Sequence, residues 1–228
     1  MKKIVSLLIA ALMLMSCAAM AEIEVVRTTY IPAEVYTDSF YGYFFAEVVN
    51  NGEEPAYLGE SYFNVLDPDG NIVATCDLYS TNPSVLEPGA TGYVYNWQTL
   101  DGISSVDEVP GYEYSITSEA AYYDAPQSVT VSDASFEYGE DTFGDMACTV
   151  HITVQNDNDE TLYEPNVIYA LYDQNGELLD ASDATLYYAG VPAGQRTEAF
   201  FQISEGLVKA WVDAGKVPTT VVGLANLD

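Results

Sequence analysis

Basic residues, histidine and cysteine are nearly missing from this chain. Six lysines and arginines, one histidine and three cysteines stand against 35 aspartates and glutamates in 228 residues. With His151 as the lone imidazole, a histidine-based relay has few places to form. No Gly-x-Ser-x-Gly elbow, His-Glu-x-x-His helix or phosphate-binding glycine loop occurs either. Paired carboxylates can hydrolyse glycosides, but among 35 acids a pair can be drawn anywhere, so a carboxylate-based hydrolase ranks last among the functions considered. The expectation is a protein that is not an enzyme and needs no cofactor or metal.

Long apolar runs are scarce as well. The one clear run, Ile4 to Met15, spans 12 residues, short of the roughly 18–20 needed to cross a bilayer. Lys2 and Lys3 precede it, and the small-x-small triplet Ala19-Met20-Ala21 follows. Residues 1–21 therefore read as a cleaved export signal, with Glu22 as the new N-terminus. Leu14-Met15-Ser16-Cys17 resembles a bacterial lipobox, which makes a lipid anchor at Cys17 the alternative to free secretion. After cleavage, four basic residues face 35 acidic ones, a net charge of −31. A field of that sign repels phosphate backbones and anionic headgroups. It argues against nucleic acid, and against direct membrane-surface binding unless Cys17 is lipidated. Two cysteines remain, Cys76 and Cys148, and whether they are bridged is open at this level.

What the chain does have is an internal repeat. Asn50-Asn-Gly-Glu-Glu-Pro-Ala-Tyr57 returns 106 residues later as Asn156-Asp-Asn-Asp-Glu-Thr-Leu-Tyr163. Phe63-Asn-Val-Leu-Asp-Pro-Asp-Gly70 returns as Tyr169-Ala-Leu-Tyr-Asp-Gln-Asn-Gly176, and Leu86-Glu-Pro-Gly89 as Val191-Pro-Ala-Gly194, one residue out of step. Such a period fits two whole domains, residues 22–124 and 125–228, joined at Asp124-Ala-Pro126.

Nearly every segment reads as strand: short runs of Val, Ile, Tyr, Phe and Thr between Gly, Pro, Asn and Asp clusters. Phe44, Ala46 and Val48 alternate with Phe45, Glu47 and Val49. Val150, Ile152 and Val154 alternate with His151, Thr153 and Gln155. This period of two assigns the first set of each pair to a core. Asp67-Pro-Asp-Gly70 and Asp173-Gln-Asn-Gly176 are hairpin turns. Their acidic and amide side chains, like those of Asn156 to Glu160, read as turn formers first and calcium ligands second. One helix is expected, with Ser204 as N-cap, Leu207, Val208, Trp211 and Val212 on one stripe, and Gly215 past its end, capping a sheet edge.

Tyr169-Ala-Leu-Tyr-Asp173, followed by Gly176 and Gly194, resembles the FxLYD domain family, named for a Phe-x-Leu-Tyr-Asp strand end. Phe63-Asn-Val-Leu-Asp67 is a looser version of the same motif. The resemblance implies an extracellular bacterial β-sandwich of immunoglobulin-like type. The expected fold is accordingly all-β: two tandem immunoglobulin-like antiparallel sandwiches after a signal peptide. It implies almost nothing about mechanism.

The aromatic content supplies the candidate contact residues. Tyr93, Tyr95 and Trp97 share one face of a strand, and Tyr41, Tyr43 and Phe45 line up similarly. Such a row either packs as core or, facing solvent, stacks on sugar rings or anchors a protein. The expectation is a non-catalytic binding or adhesion-type module for a protein or glycan of the cell surface. The alternative is a structural spacer or accessory domain of an envelope assembly, with no ligand of its own.

Overall fold

The structure, a computed structural model, describes residues 22–187 and 190–227; the export signal read at 1–21, with Cys17, lies outside them. The first half holds β1 (Ile23–Tyr36), β2 (Ser39–Asn50), β3 (Ala56–Leu58), β4 (Ser61–Leu66), β5 (Ile72–Leu78), β6 (Thr91–Thr99), β7 (Gly111–Ser115) and β8 (Ser118–Ala120). The second holds β9 (Gln127–Ser128), β10 (Thr130–Glu140), β11 (Met146–Gln155), β12 (Leu162–Tyr163), β13 (Asn166–Asp173), β14 (Leu178–Thr185), β15 (Gly190–Val191) and β16 (Arg196–Gln202). It closes with a helix, α1 (Glu205–Asp213), and β17 (Pro218–Leu227).

Every ladder is antiparallel and joins strands of one half. The orders are β1-β2-β6, β5-β4-β7 and β3-β8 before the joint, and β10-β11-β16, β14-β13-β17-β9 and β12-β15 after it. The described residues are all-β apart from one short helix, with several antiparallel sheets and no closed barrel among them.

The period-two alternation lands where expected. Phe44, Ala46 and Val48 are buried against Phe63 and Val65 of β4, with the Phe44 and Phe63 rings stacked at 5.1 Å. Val150, Ile152 and Val154 are buried in a second cluster with Tyr169 and Leu171 of β13, and Tyr169 meets the Phe201 ring at 4.6 Å. Cys76 and Cys148 are both buried and free, their thiols pushed up to about 11 and about 12, chiefly by burial.

The repeated blocks turn out to be one structural device used twice. Asn50 and Asn156 are fully buried polar residues at the ends of β2 and β11. The Asn50 amide donates to the carbonyls of Glu54 and Leu86 at 2.8 Å, and Asn156 donates to Glu160 and Val191 at 2.7 Å. Their Oδ1 atoms accept from Gly52 and Asn158 at 2.9 Å. Their backbone carbonyls accept from Gly89 and Gly194, at 2.7 and 2.9 Å. Thus two of the three landmarks of each repeat meet on a single side chain. In the hairpins, Asp67 Oδ1 accepts from the N–H groups of Asp69 and Asn71, and Asp173 Oδ1 from those of Asn175 and Glu177, all at 2.8–2.9 Å. These oxygens are engaged by the turns themselves. The Asn71 side chain and the turn amides also hold the Asp67 carboxyl below its ordinary range.

Helix α1 begins as read: Ser204 Oγ accepts from the Leu207 N–H at 3.3 Å, and Gly215 takes φ +67° past the end. Leu207, Val208 and Trp211 are buried, while Val212 is 42 % exposed and lies off the packed stripe. The helix caps a sheet edge, but that edge belongs to the first half. An ideal Cβ on Gly206 would sit 2.6 Å from the Glu34 carbonyl and 2.7 Å from Val35 Cα, so only glycine lets α1 lie directly on β1.

Candidate functional site: the aromatic face of the β1-β2-β6 sheet

The two aromatic rows noted in the sequence are neighbours. In the β2–β6 ladder Tyr43 faces Trp97, Phe45 faces Tyr95 and Glu47 faces Tyr93, so both rows form one face of one sheet. That face looks away from the core of its own half. Ile31, Phe45 and Tyr93 belong instead to the buried cluster of the second half, together with Ile168, Ala170 and Tyr172 of β13. The outer faces of two sheets, one from each half, therefore pack against each other.

Polar atoms lock this contact. The Tyr172 hydroxyl donates to the Glu47 carboxylate at 2.9 Å and lies 3.0 Å from the Tyr93 hydroxyl. Tyr95 donates to the Asp183 carboxylate. Arg27 pairs with Glu47 at 2.9 Å, donates to the Gly176 carbonyl, and lies over the Tyr172 ring at 5.4 Å. Tyr43 completes the set with a 3.5 Å contact to Ser204 Oγ. Burial raises the pKa of Tyr93, Tyr43 and Tyr172 above the ordinary tyrosine value.

Of the three contact candidates, one is thus enclosed, one half-buried and one exposed. Tyr93 is 2 % exposed and Tyr95 is partly buried under Asp183, because the second half covers that end of the face. Tyr93 is enclosed in the contact between the two halves. Trp97 remains 53 % exposed, with its ring edge-on to Tyr41 at 5.1 Å and 60°. From there the rings run inward, Tyr41 to Tyr43 and Tyr43 to Phe45, each 6.3 Å apart. The open end of a largely covered aromatic ladder is the candidate site.

His151 takes the position of Phe45 in the second half, partly exposed, with Nδ1 2.9 Å from Glu198. Among the described residues, no group of three or more His, Cys, Asp or Glu side chains converges as a metal site does. No helix there is long and apolar enough to cross a membrane.

The clasp residues Arg27, Glu47 and Tyr172 escaped the sequence reading. Their signal lay in the differences between the repeats. Tyr43, Phe45 and Tyr93 are replaced at equivalent positions by Thr149 and His151, which are half-buried, and by Glu198, which is exposed. Conversely, Ile168, Ala170 and Tyr172 correspond to Tyr62, Asn64 and Leu66. A face that one repeat keeps apolar and the other makes polar is a face that packs in only one of them.

No protein-family model matches the chain, and no curated protein matches it in sequence.

Proposed function

We propose that this is a non-catalytic extracellular or cell-envelope module: two tandem immunoglobulin-like sandwiches of FxLYD type, 22–124 and 125–228. It touches a glycan or protein of the cell surface through Trp97 and Tyr41. The observation that carries this reading is the half-exposed Trp97 ring at the end of a ladder whose inner members Phe45 and Tyr93 are buried. An exposed indole held by a neighbouring ring presents apolar area at low entropic cost, as sugar stacking and protein hot spots both require. The FxLYD reading gains support from the behaviour of its residues. Tyr169 and Leu171 enter the core, and Asp173 closes the turn. Export rests on the signal read at 1–21 and on the −31 charge.

The test is Trp97→Ala on the exported chain, assayed for retention on cell-wall glycans and on intact envelope. We expect binding to be lost with Tm unchanged within about 2 °C, as for a surface substitution. Equal binding by both proteins refutes the contact role and leaves the spacer reading. Release of the exported protein with a diacylglyceryl-modified Cys17, detected by intact mass, would make it an anchored lipoprotein instead.

A further inference from the structure

An open cleft runs along the seam between the two halves. The β1-β2-β6 sheet supplies Arg27, Glu47 and Thr91 to it, and β17 supplies Thr220, Val222 and Leu224. In the β13–β17 ladder Thr220 faces Tyr172, Val222 faces Ala170 and Leu224 faces Ile168, so these side chains continue the face that packs on the first half. Beside the 3.0 Å contact of the Tyr93 and Tyr172 hydroxyls the cleft encloses about 520 Å³. That lies within the range of natural ligand sites, which favour junctions between domains.

In a chain of 35 acidic residues, this cleft presents no unpaired charge. Arg27, Glu47 and Asp173 are the charged residues that line it. Arg27 and Glu47 neutralise each other at 2.9 Å. Asp173 is 3 % exposed, and its oxygens accept from the turn amides and the Asn175 side chain. The exposed lining residues are uncharged: Thr91, Thr219, Thr220 and Gln174 bring hydroxyl and amide groups, and Val222, with half-buried Leu224, brings aliphatic surface. One fixed donor completes the set. The Arg27 guanidinium is held by Glu47, by the Gly176 carbonyl and over the Tyr172 ring, yet its side chain stays 39 % exposed. Those bonds engage Nε and Nη1, and a guanidinium carries five N–H groups, so donors remain for a ligand.

We infer that this cleft binds a neutral carbohydrate, held between the two halves. An anionic ligand is repelled by the acidic field of the chain. A cation finds no carboxylate here that lacks a partner. A purely apolar ligand would cut the threonine and glutamine groups off from water without replacing their hydrogen bonds. A sugar meets all three conditions. Its hydroxyls accept from Arg27 and exchange hydrogen bonds with Thr91, Thr219, Thr220 and Gln174, while its C–H face lies on Val222 and Leu224. Neither Trp97 nor Tyr41 lines the cleft, so this site and the aromatic contact stand or fall separately.

Isothermal titration calorimetry of the full exported chain with cellohexaose, mannohexaose, xylohexaose and N-acetylchitohexaose tests the inference, with hexagalacturonate as an anionic probe of the same length. At least one neutral hexasaccharide should bind at one site per chain, and hexagalacturonate should not. The exposed double variant Thr219→Val/Thr220→Val keeps the shape and strand preference of both residues but removes their hydroxyls. It should weaken that binding about tenfold or more. Trp97→Ala should bind the same sugar as the parent does. Because the ligand joins both halves, saturation should also raise the Tm of the parent. Binding of none of the neutral probes, equal binding by the double variant, or equal binding of hexagalacturonate would overturn the inference. So would loss of the sugar in Trp97→Ala, which would place it on the aromatic face instead.

Discussion

Asp180 should make this protein more stable in mild acid than at slightly alkaline pH. The residue lies on β14, enclosed in the core of the second half, where the Tyr169 hydroxyl donates to it at 2.5 Å. Burial is the dominant influence and pushes its carboxyl from 3.8 to about 7, against the opposing pull of the Tyr169 hydroxyl and the Ala181 N–H. In the unfolded chain the group ionises near 4, whereas in the fold it keeps its proton until about 7. Between those values the folded state binds more protons, so stability falls as pH rises. The contribution is complete below about 4 and gone once pH passes the folded pKa. At about 1.36 kcal/mol per pH unit, moving from pH 8 to pH 5 adds about 2.5 kcal/mol. For a chain of this size that is about 5–10 °C in Tm. The perturbation is Asp180→Asn, which keeps the shape and an acceptor for Tyr169 but cannot ionise. Urea midpoints at pH 5 and pH 8, at constant ionic strength, give the comparison. The general relief of acidic repulsion at low pH acts on both proteins and cancels in the difference. If Asp180→Asn loses as much stability between pH 5 and 8 as the parent, the carboxyl is not the titrating group and the reasoning fails.

Three further outcomes follow from packing and charge. Gly206→Ala should destabilise by about 2 kcal/mol or more, although alanine normally stabilises a helix by about 1 kcal/mol, because its Cβ would meet the β1 backbone. A stabilised variant in thermal melts would show that α1 does not rest on β1. Asn50→Ala and Asn156→Ala should each cost about 1–3 kcal/mol, since each removes three hydrogen bonds made by a fully buried amide. Markedly unequal losses by denaturant titration would contradict their equivalence. Tm should rise between low salt and about 0.15 M NaCl, where screening shortens to about 8 Å; a flat response would mean that the carboxylates do not repel one another appreciably.

Much of the local structure was legible in particular residues. Phe44, Ala46 and Val48, like Val150, Ile152 and Val154, announced their buried faces by period-two spacing, and the Asp-x-x-Gly turns announced the hairpins. Ser204 and Gly215 marked the helix ends because capping is satisfied within a few residues of chain. The aromatic rows were legible as rows but not as to what covers them. A strand's alternation shows that two faces differ, and both faces of β2 and β13 are largely apolar because both are covered. Subtracting one repeat from the other would have exposed the covered face, since His151 stands where Phe45 does and Glu198 where Tyr93 does.

By itself, the sequence determined the all-β character, the hairpins, the two buried cores, the helix and the recurrence of the Asn50 block at Asn156. Each of these depends on contacts close in the chain or on a pattern imposed by backbone geometry. The tertiary structure alone decided that Tyr93 is sealed, that Trp97 stays open, that Arg27 clasps Tyr172, and that α1 lies on β1 of the other half. Those contacts join the two halves of the chain, Tyr93 and Tyr172 at a separation of 79 positions, and which sheet face meets which depends on complementarity between surfaces that no local periodicity encodes.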